Sequence, residues 1–362
     1  MRITIAAGGT GGHVFPAVAV ATRLVERGDA VQWIGRPSSL EESEAKVLGA
    51  VFSAIPLQGL KRKWSWDNVN AVFRFLKGRR LARKALTGFR PEVVFALGSY
   101  VGAPVVSAAL SLHVPVLVHE QNVVPGLVVR RYAPKVSRLL LTKPLVSSDL
   151  RARTAVVGMP LRPDILRERT QQTYLDLGLD PGKKTLFIFG GSQGAKAFCE
   201  VGSELARKWQ TDRPDWQILL QTGVANLEWI RSRVTERNVT MVGHLREMGK
   251  AYACADAIVS RSGAASCAEL EAVGKPVVLV PYPHATADHQ RLNAESFAQN
   301  PNAVVIPQQE LTVGRLESAV REVEGYPARP MTEAEILKPV RTIVGILDEV
   351  ARGGEGRGID GE

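Results

Sequence analysis

From Ser260 to Asn293 the chain reads SRSGAASCAELEAVGKPVVLVPYPHATADHQRLN, and its small and polar residues are spaced to receive an anion and a sugar. Ser260-Arg-Ser-Gly263 leads into a helix whose first turn, Ala264, Ala265 and Ser266, carries almost no side chain; Cys267 and Ala268 continue it. A helix start of that kind presents unpaired backbone N–H groups and the positive end of the helix dipole, so a diphosphate can dock there without a metal. Glu269, one turn along, is placed to accept hydrogen bonds from two neighbouring sugar hydroxyls. After an apolar run at 277–280 come Asp288, His289, Gln290 and Asn293, polar groups able to face a second sugar. The layout is that of a nucleotide-sugar site.

Other ways of binding a nucleotide fail at the residues they need. A dinucleotide fingerprint requires G-x-G-x-x-G after the first strand and an acidic residue closing the second. Here Gly9-Thr10-Gly11-Gly12-His13-Val14 lacks the last glycine, and the second strand ends in Gly35-Arg36. No glycine loop ends in Gly-Lys-Ser/Thr, so there is no P-loop, and no Asp-x-Asp pair closes a strand. Cys199, Cys254 and Cys267 are scattered, which suggests neither a disulfide framework nor a zinc site and suits a reducing compartment.

These residues need a scaffold, and the chain of 362 residues is long enough for two α/β domains. Ile3-Thr-Ile-Ala-Ala-Gly8 and Leu186-Phe-Ile-Phe-Gly190 are both apolar runs that break into glycine-rich turns before a helix. The repetition implies two doubly wound, Rossmann-like parallel sheets in tandem, with a cleft between them. Strands are expected at 3–7, 30–34, 93–97, 114–118 and 138–141, and then at 185–189, 217–221, 239–242, 257–260, 277–280 and 303–306. Gly158-Met-Pro-Leu-Arg-Pro163 interrupts the pattern. It divides a domain over 1–160 from one over 161–332, with a helix over 333–352 packing back on the first domain and a disordered tail over 353–362. Ligands of such sheets lie beyond the carboxyl ends of the strands. That rule gathers the loops at 8–13, 98–100, 119–122, 190–194, 243–245 and 262–269.

The N-terminus lacks the basic, apolar and cleavage regions of a signal peptide. The stretch from Val93 to His119 has no charged Asp, Glu, Lys or Arg, but its glycines and prolines divide it into strand, helix and strand of a sheet buried on both faces. The net charge of +10 calls for an anionic partner. Tryptophan and phenylalanine interleave with lysine and arginine from Lys61 to Lys84, a pattern suited either to an anionic membrane surface or to a helix with a solvated basic face. No nucleic-acid-binding signature accompanies it.

Five motifs, GGTGGHVFPAVAVA, HEQNVVPG, GGSQGA, SRSGAASCAELEAVGKP and DHQRLNA, occur in one order across nearly the whole chain, and together they resemble the MurG-type transferases of glycosyltransferase family 28. The resemblance implies a GT-B fold of two Rossmann-like domains. It also implies an inverting, metal-independent and cofactor-free transfer of N-acetylglucosamine (GlcNAc) from UDP-GlcNAc. The acceptor would be the C4 hydroxyl of N-acetylmuramate (MurNAc) on an undecaprenyl-diphosphate carrier (lipid I), and the product lipid II. Work at the cytoplasmic face of the inner membrane is implied too, as a peripheral protein, alongside other cell-wall enzymes.

Matched motif by motif, Thr10, Gly11, Gly12, Asn122, Arg162 and Ser192 correspond to contacts of the donor sugar and diphosphate, Leu245 to the uracil contact and Ala264 to Ala268 to the anion-binding helix end. Glu269 corresponds to the ribose ligand and Gln290 to a GlcNAc ligand. Tyr100 lines the acceptor side. His13 is the first candidate for the base and Glu120 its rival. Gly98-Ser-Tyr-Val-Gly102 and Val129 depart from the family pattern on the acceptor side. Competing readings are another GT-B enzyme, such as a glycolipid synthase or a UDP-GlcNAc epimerase, and a non-enzymatic lipid- or nucleic-acid-binding module.

Overall fold

The computed structural model describes residues 1–57, 66–146, 150–191 and 193–353, with side chains of the 66–89 helix from residue 73 onward. The basic-aromatic stretch at 61–65, Ser192 and the tail at 354–362 lie outside the described residues. The chain divides into two compact units, Met1–Arg162 with Leu337–Glu362, and Pro163–Ile336. Arg162, placed by the sequence boundary in the second domain, belongs to the first unit.

The first unit holds a seven-stranded parallel sheet of β1 (Arg2–Ala6), β2 (Ala30–Gly35), β3 (Val51–Ala54), β4 (Val93–Leu97), β5 (Val116–Glu120), β6 (Arg138–Leu141) and β7 (Thr154–Val156), ordered β3-β2-β1-β4-β5-β6-β7. The second holds six parallel strands, β8 (Lys184–Phe189), β9 (Trp216–Gln221), β10 (Val239–Val242), β11 (Ala257–Ser260), β12 (Val277–Leu279) and β13 (Ala303–Val305), ordered β10-β9-β8-β11-β12-β13. Both sheets are doubly wound, and the strand order reverses beside β1 in one and β8 in the other. The central strands are buried along their whole length, as strands covered by helices on both faces must be.

Three strands differ from the sequence expectation for a physical reason. β5 starts two residues later than expected, because Pro115 has no N–H for the ladder and serves only as an acceptor for Val94. The strand then runs through His119 and Glu120, which are buried despite their polarity. β3 and β7 were not foreseen, since each is a short edge strand with both end positions exposed and no sustained apolar run.

The helix Glu333–Ala351 places Val340, Ile343, Val344, Leu347 and Val350 in the first unit's core beside Ile3, Ile5 and Trp33. Arg27 grips Asp348 with both guanidinium Nη atoms, at 2.6 and 2.9 Å. Among the described residues no helix is long and apolar enough to cross a membrane. Phe73 and Leu76 on the helix Trp66–Phe89 are largely exposed.

Candidate active site

In the first unit the expected residues converge at the carboxyl ends of the adjacent strands β1, β4 and β5. The loop after β1 turns at Gly9 with φ +103°, and a Cβ there would lie 3.2 Å from the Tyr100 ring. Thr10 then caps the helix Gly11–Glu26 with an extended backbone. Its hydroxyl meets His13 Nδ1 at 3.2 Å instead of capping a backbone N–H. Three residues further on, Pro16 leaves the carbonyl of Gly12 without its helical donor. Gln121 supplies the missing hydrogen bond, donating from Nε2 to Gly12 O at 2.7 Å. The loop at 119–122 is thereby fastened to the glycine loop.

Glu120 is 3% exposed and closes its own loop. Its Oε1 accepts from the Asn122 N–H and side-chain amide at 3.0 and 3.3 Å, and its Oε2 accepts from the Gly126 N–H at 2.8 Å. Burial pushes its carboxyl pKa up, against the pull of those amides. Glu120 is therefore built into the scaffold, and this geometry speaks against its expected place as rival base. His119 is fully buried, its pKa lowered to about 4 by desolvation, and Nε2 lies 3.0 Å from Gly158 O, so it packs as a neutral ring. Val129, read as an acceptor-side departure, is instead buried; a Cβ at Gly98 would sit 2.9 Å from its Cγ2. That departure is one of core packing.

Beside Tyr100, Arg36 donates to the carbonyl of Gly9 and to buried Glu41, whose hydrogen bond raises the guanidinium's pKa. Arg162 stacks on the Phe15 ring, 4.6 Å from its centroid.

In the second unit the helix Ala264–Val273 starts after Gly263, which caps it with backbone alone. The first intrahelical bond reaches from Cys267 N to Gly263 O. The N–H groups of Ala264, Ala265 and Ser266 precede it and are the ones a diphosphate can use. Cys267 has a buried side chain and an N–H inside the helix ladder, and Ala268 lies one residue further in. Three N–H groups, and not the expected run of five residues, thus precede the helix ladder.

This helix end is fastened from behind. Ser262 Oγ donates to Gln290 O at 2.7 Å, and Asn293 Nδ2 donates to Ser262 O at 3.1 Å. Arg261, buried between the rings of Phe198 and Tyr282, donates to the carbonyls of Val280 and Pro281. Asn293 is buried as a brace, so it does not face a sugar. Gln290 Oε1 accepts from the Tyr282 N–H at 2.9 Å, which leaves its NH2 as the end to offer a ligand. Glu269 is half-buried and accepts from the Tyr252 hydroxyl at 2.8 Å. Leu245 follows β10 and is half-buried.

Tyr252, Arg261 and Gln121 were not singled out from the sequence. Arg261 lay in plain view inside the motif, but its inward direction shows only in the fold. Tyr252 precedes Glu269 by seventeen residues on another helix, so no local spacing signals the pair.

Residues 3–140 match the glycosyltransferase family 28 N-terminal domain and residues 185–344 its C-terminal domain. The UDP-N-acetylglucosamine–N-acetylmuramyl-(pentapeptide) pyrophosphoryl-undecaprenol N-acetylglucosamine transferase of Bacillus licheniformis is 34% identical over 89% of this chain and 90% of its own. The transferase of the same name from Halothermothrix orenii is 33% identical over 98% of this chain and 100% of its own. The solved structure of Acinetobacter baumannii MurG superposes with a TM-score of 0.68 at 27% identity, covering 96% of this chain and 99% of that one. The kitacinnamycin glycotransferase has the same fold, with a TM-score of 0.67 at 19% identity over 97% of each chain. With relatives so similar over nine-tenths of the chain and both family domains in order, the chain belongs to glycosyltransferase family 28, among the MurG transferases.

Proposed function

We propose that this protein transfers GlcNAc from UDP-GlcNAc to the C4 hydroxyl of MurNAc on lipid I, forming lipid II and releasing UDP. The observation that carries the reading is the helix start at Ala264–Ser266, built from small residues with unpaired N–H groups, braced from behind and followed by Glu269, in a chain whose relatives bear the name of that reaction.

The acceptor oxygen forms the new bond to C1 of GlcNAc as the C1–O bond to the diphosphate breaks. In-line attack inverts the anomeric carbon. Negative charge grows on the departing diphosphate, and the amides of Ala264, Ala265 and Ser266 are fixed donors for it, which need no reorganisation and no metal. Glu269 holds the ribose hydroxyls, the Gln290 NH2 and the Asn122 side chain hold GlcNAc, and Leu245 presents backbone to uracil. Thr10, Gly11, Gly12, Arg162 and Ser192 complete the donor contacts. His13 takes the acceptor proton: when Nδ1–H donates to Thr10, Nε2 carries the lone pair a base requires. Tyr100 and the glycine loop beside it receive the acceptor.

Because the acceptor is a lipid, the protein works at the cytoplasmic face of the inner membrane as a peripheral protein. The basic and aromatic residues of 61–84 meet anionic lipid there, and exposed Phe73 and Leu76 favour that placement.

The test is transfer of labelled GlcNAc from UDP-GlcNAc to a lipid I analogue, with EDTA present and UDP-glucose as control donor. Transfer that survives EDTA and prefers GlcNAc is expected. Binding of UDP-GlcNAc without transfer would move the search to other acceptors or to epimerisation.

A further inference from the structure

We propose that Tyr252 is a positioning residue of the donor site, its phenol fixing the Glu269 carboxylate in the orientation that receives the two ribose hydroxyls. The inference rests on the ribose role given to Glu269 above.

The ring of Tyr252 is 1% exposed and has one place to be. It stands edge-on to Phe187 and Phe189, with its centroid 5.9 Å from each and interplanar angles of 69°. Those two phenylalanines project from one face of β8 and stack at 4.8 Å. Three rings from a sheet and a helix thus aim the hydroxyl at Glu269, 2.8 Å away. A carboxylate has no hydrogen to give, so the phenol is the donor. Burial holds the phenol well above its ordinary pKa, so it stays protonated and keeps donating.

A glutamate side chain has three rotatable bonds, and on a helix surface it samples several rotamers. Tying one oxygen to a buried phenol removes that freedom before the ligand arrives. A carboxylate offers about four acceptor positions, and the phenol takes only one of them. Preorganisation of this kind appears as donor affinity, because the ligand no longer has to order the group that binds it.

The experiment compares affinities of the full-length enzyme for UDP and 2′-deoxy-UDP by calorimetry, with the KM for UDP-GlcNAc measured in parallel. The native protein is expected to favour UDP by about tenfold or more, the worth of a hydrogen bond to a charged group. Tyr252→Phe keeps the ring and loses only the hydroxyl. It is expected to reduce that preference about threefold or more, with the effect falling on KM more than on kcat. Phe189→Leu loosens the same ring cluster but keeps the phenol, and is expected to lower Tm while retaining the preference.

Undiminished preference in Tyr252→Phe, when Glu269→Gln has lost it, overturns the positioning role alone. Retained preference in Glu269→Gln removes the ribose role itself, and the proposal with it. Equal loss in Phe189→Leu and Tyr252→Phe assigns the effect to packing and likewise overturns the proposal.

Discussion

His13 and Glu120 were both candidates for the base, and their surroundings separate them. A base needs a lone pair that substrate can reach. The oxygens of Glu120 are committed to the N–H groups of Asn122 and Gly126 and to the Asn122 side chain, inside a nearly closed environment. His13 stands in the first turn of its helix, with one ring nitrogen beside Thr10. His13→Ala is expected to lower kcat by about 10²-fold and to remove the acid limb of its pH profile. Glu120→Gln swaps one acceptor oxygen for an NH2 that faces N–H donors. It is expected to cost about 1–3 kcal/mol of stability, visible as a lower Tm, while the acid limb survives. An acid limb lost in Glu120→Gln at unchanged Tm would return the base role to Glu120.

Elements explain why the glycine loops can be read in sequence while their interlocking cannot. The loop after β8 and the turn after β9 press backbone on backbone. A Cβ at Gly194, where φ is +72°, would lie 1.9 Å from Thr222 O, and one at Gly223, where φ is +79°, would lie 2.0 Å from Gln193 O. The Thr222 carbonyl follows directly on the end of β9, whose ladder Thr222 N continues to Val242 O, so it cannot move without shifting that strand end. Gly194→Ala therefore combines left-handed strain with a backbone clash, and a loss of roughly 2–5 kcal/mol is expected in urea unfolding, together with weaker UDP binding. A stability loss well under 1 kcal/mol would mean that the loop relaxes freely and that the close approach is not needed.

The same contrast runs through the site. Motifs that lie in one short stretch of chain, such as the turns into helices at 8–13 and 260–269, were legible because their residues sit at local spacing. The central strands of both sheets were legible because burial on both faces leaves an apolar run, whereas the edge strands β3 and β7 leave none. Gln121 replacing the N–H that Pro16 lacks, and Arg261 bracing a helix start from beneath, join residues brought together only by the fold. Cys267 was counted as a donor because position in a motif does not tell which N–H groups the helix has already used.

At the scale of the whole molecule, the division of the chain into units does not follow its linear order. The first unit is completed by the last helix, Glu333–Ala351, although the second unit intervenes. Val340, Ile343, Val344, Leu347 and Val350 are all nearly or fully buried against β1, β2 and the helix Gly11–Glu26. Five such side chains at ~1.5–3 kcal/mol each contribute about 10 kcal/mol of burial. That equals the whole net stability of a typical domain, about 5–15 kcal/mol. Arg27 would also lose its paired contacts to Asp348. Removal of residues 337–362 is therefore expected to unfold the first unit and leave the second able to fold. Calorimetry of the truncated chain should show only the transition of the second unit, and the isolated segment 163–336 should unfold cooperatively and bind UDP. If the truncated chain kept both transitions, the helix would be an addition to a core already complete without it. If 163–336 folded but did not bind UDP, the donor site would need residues of the first unit even for the nucleotide, and the division of labour between the units would have to be redrawn.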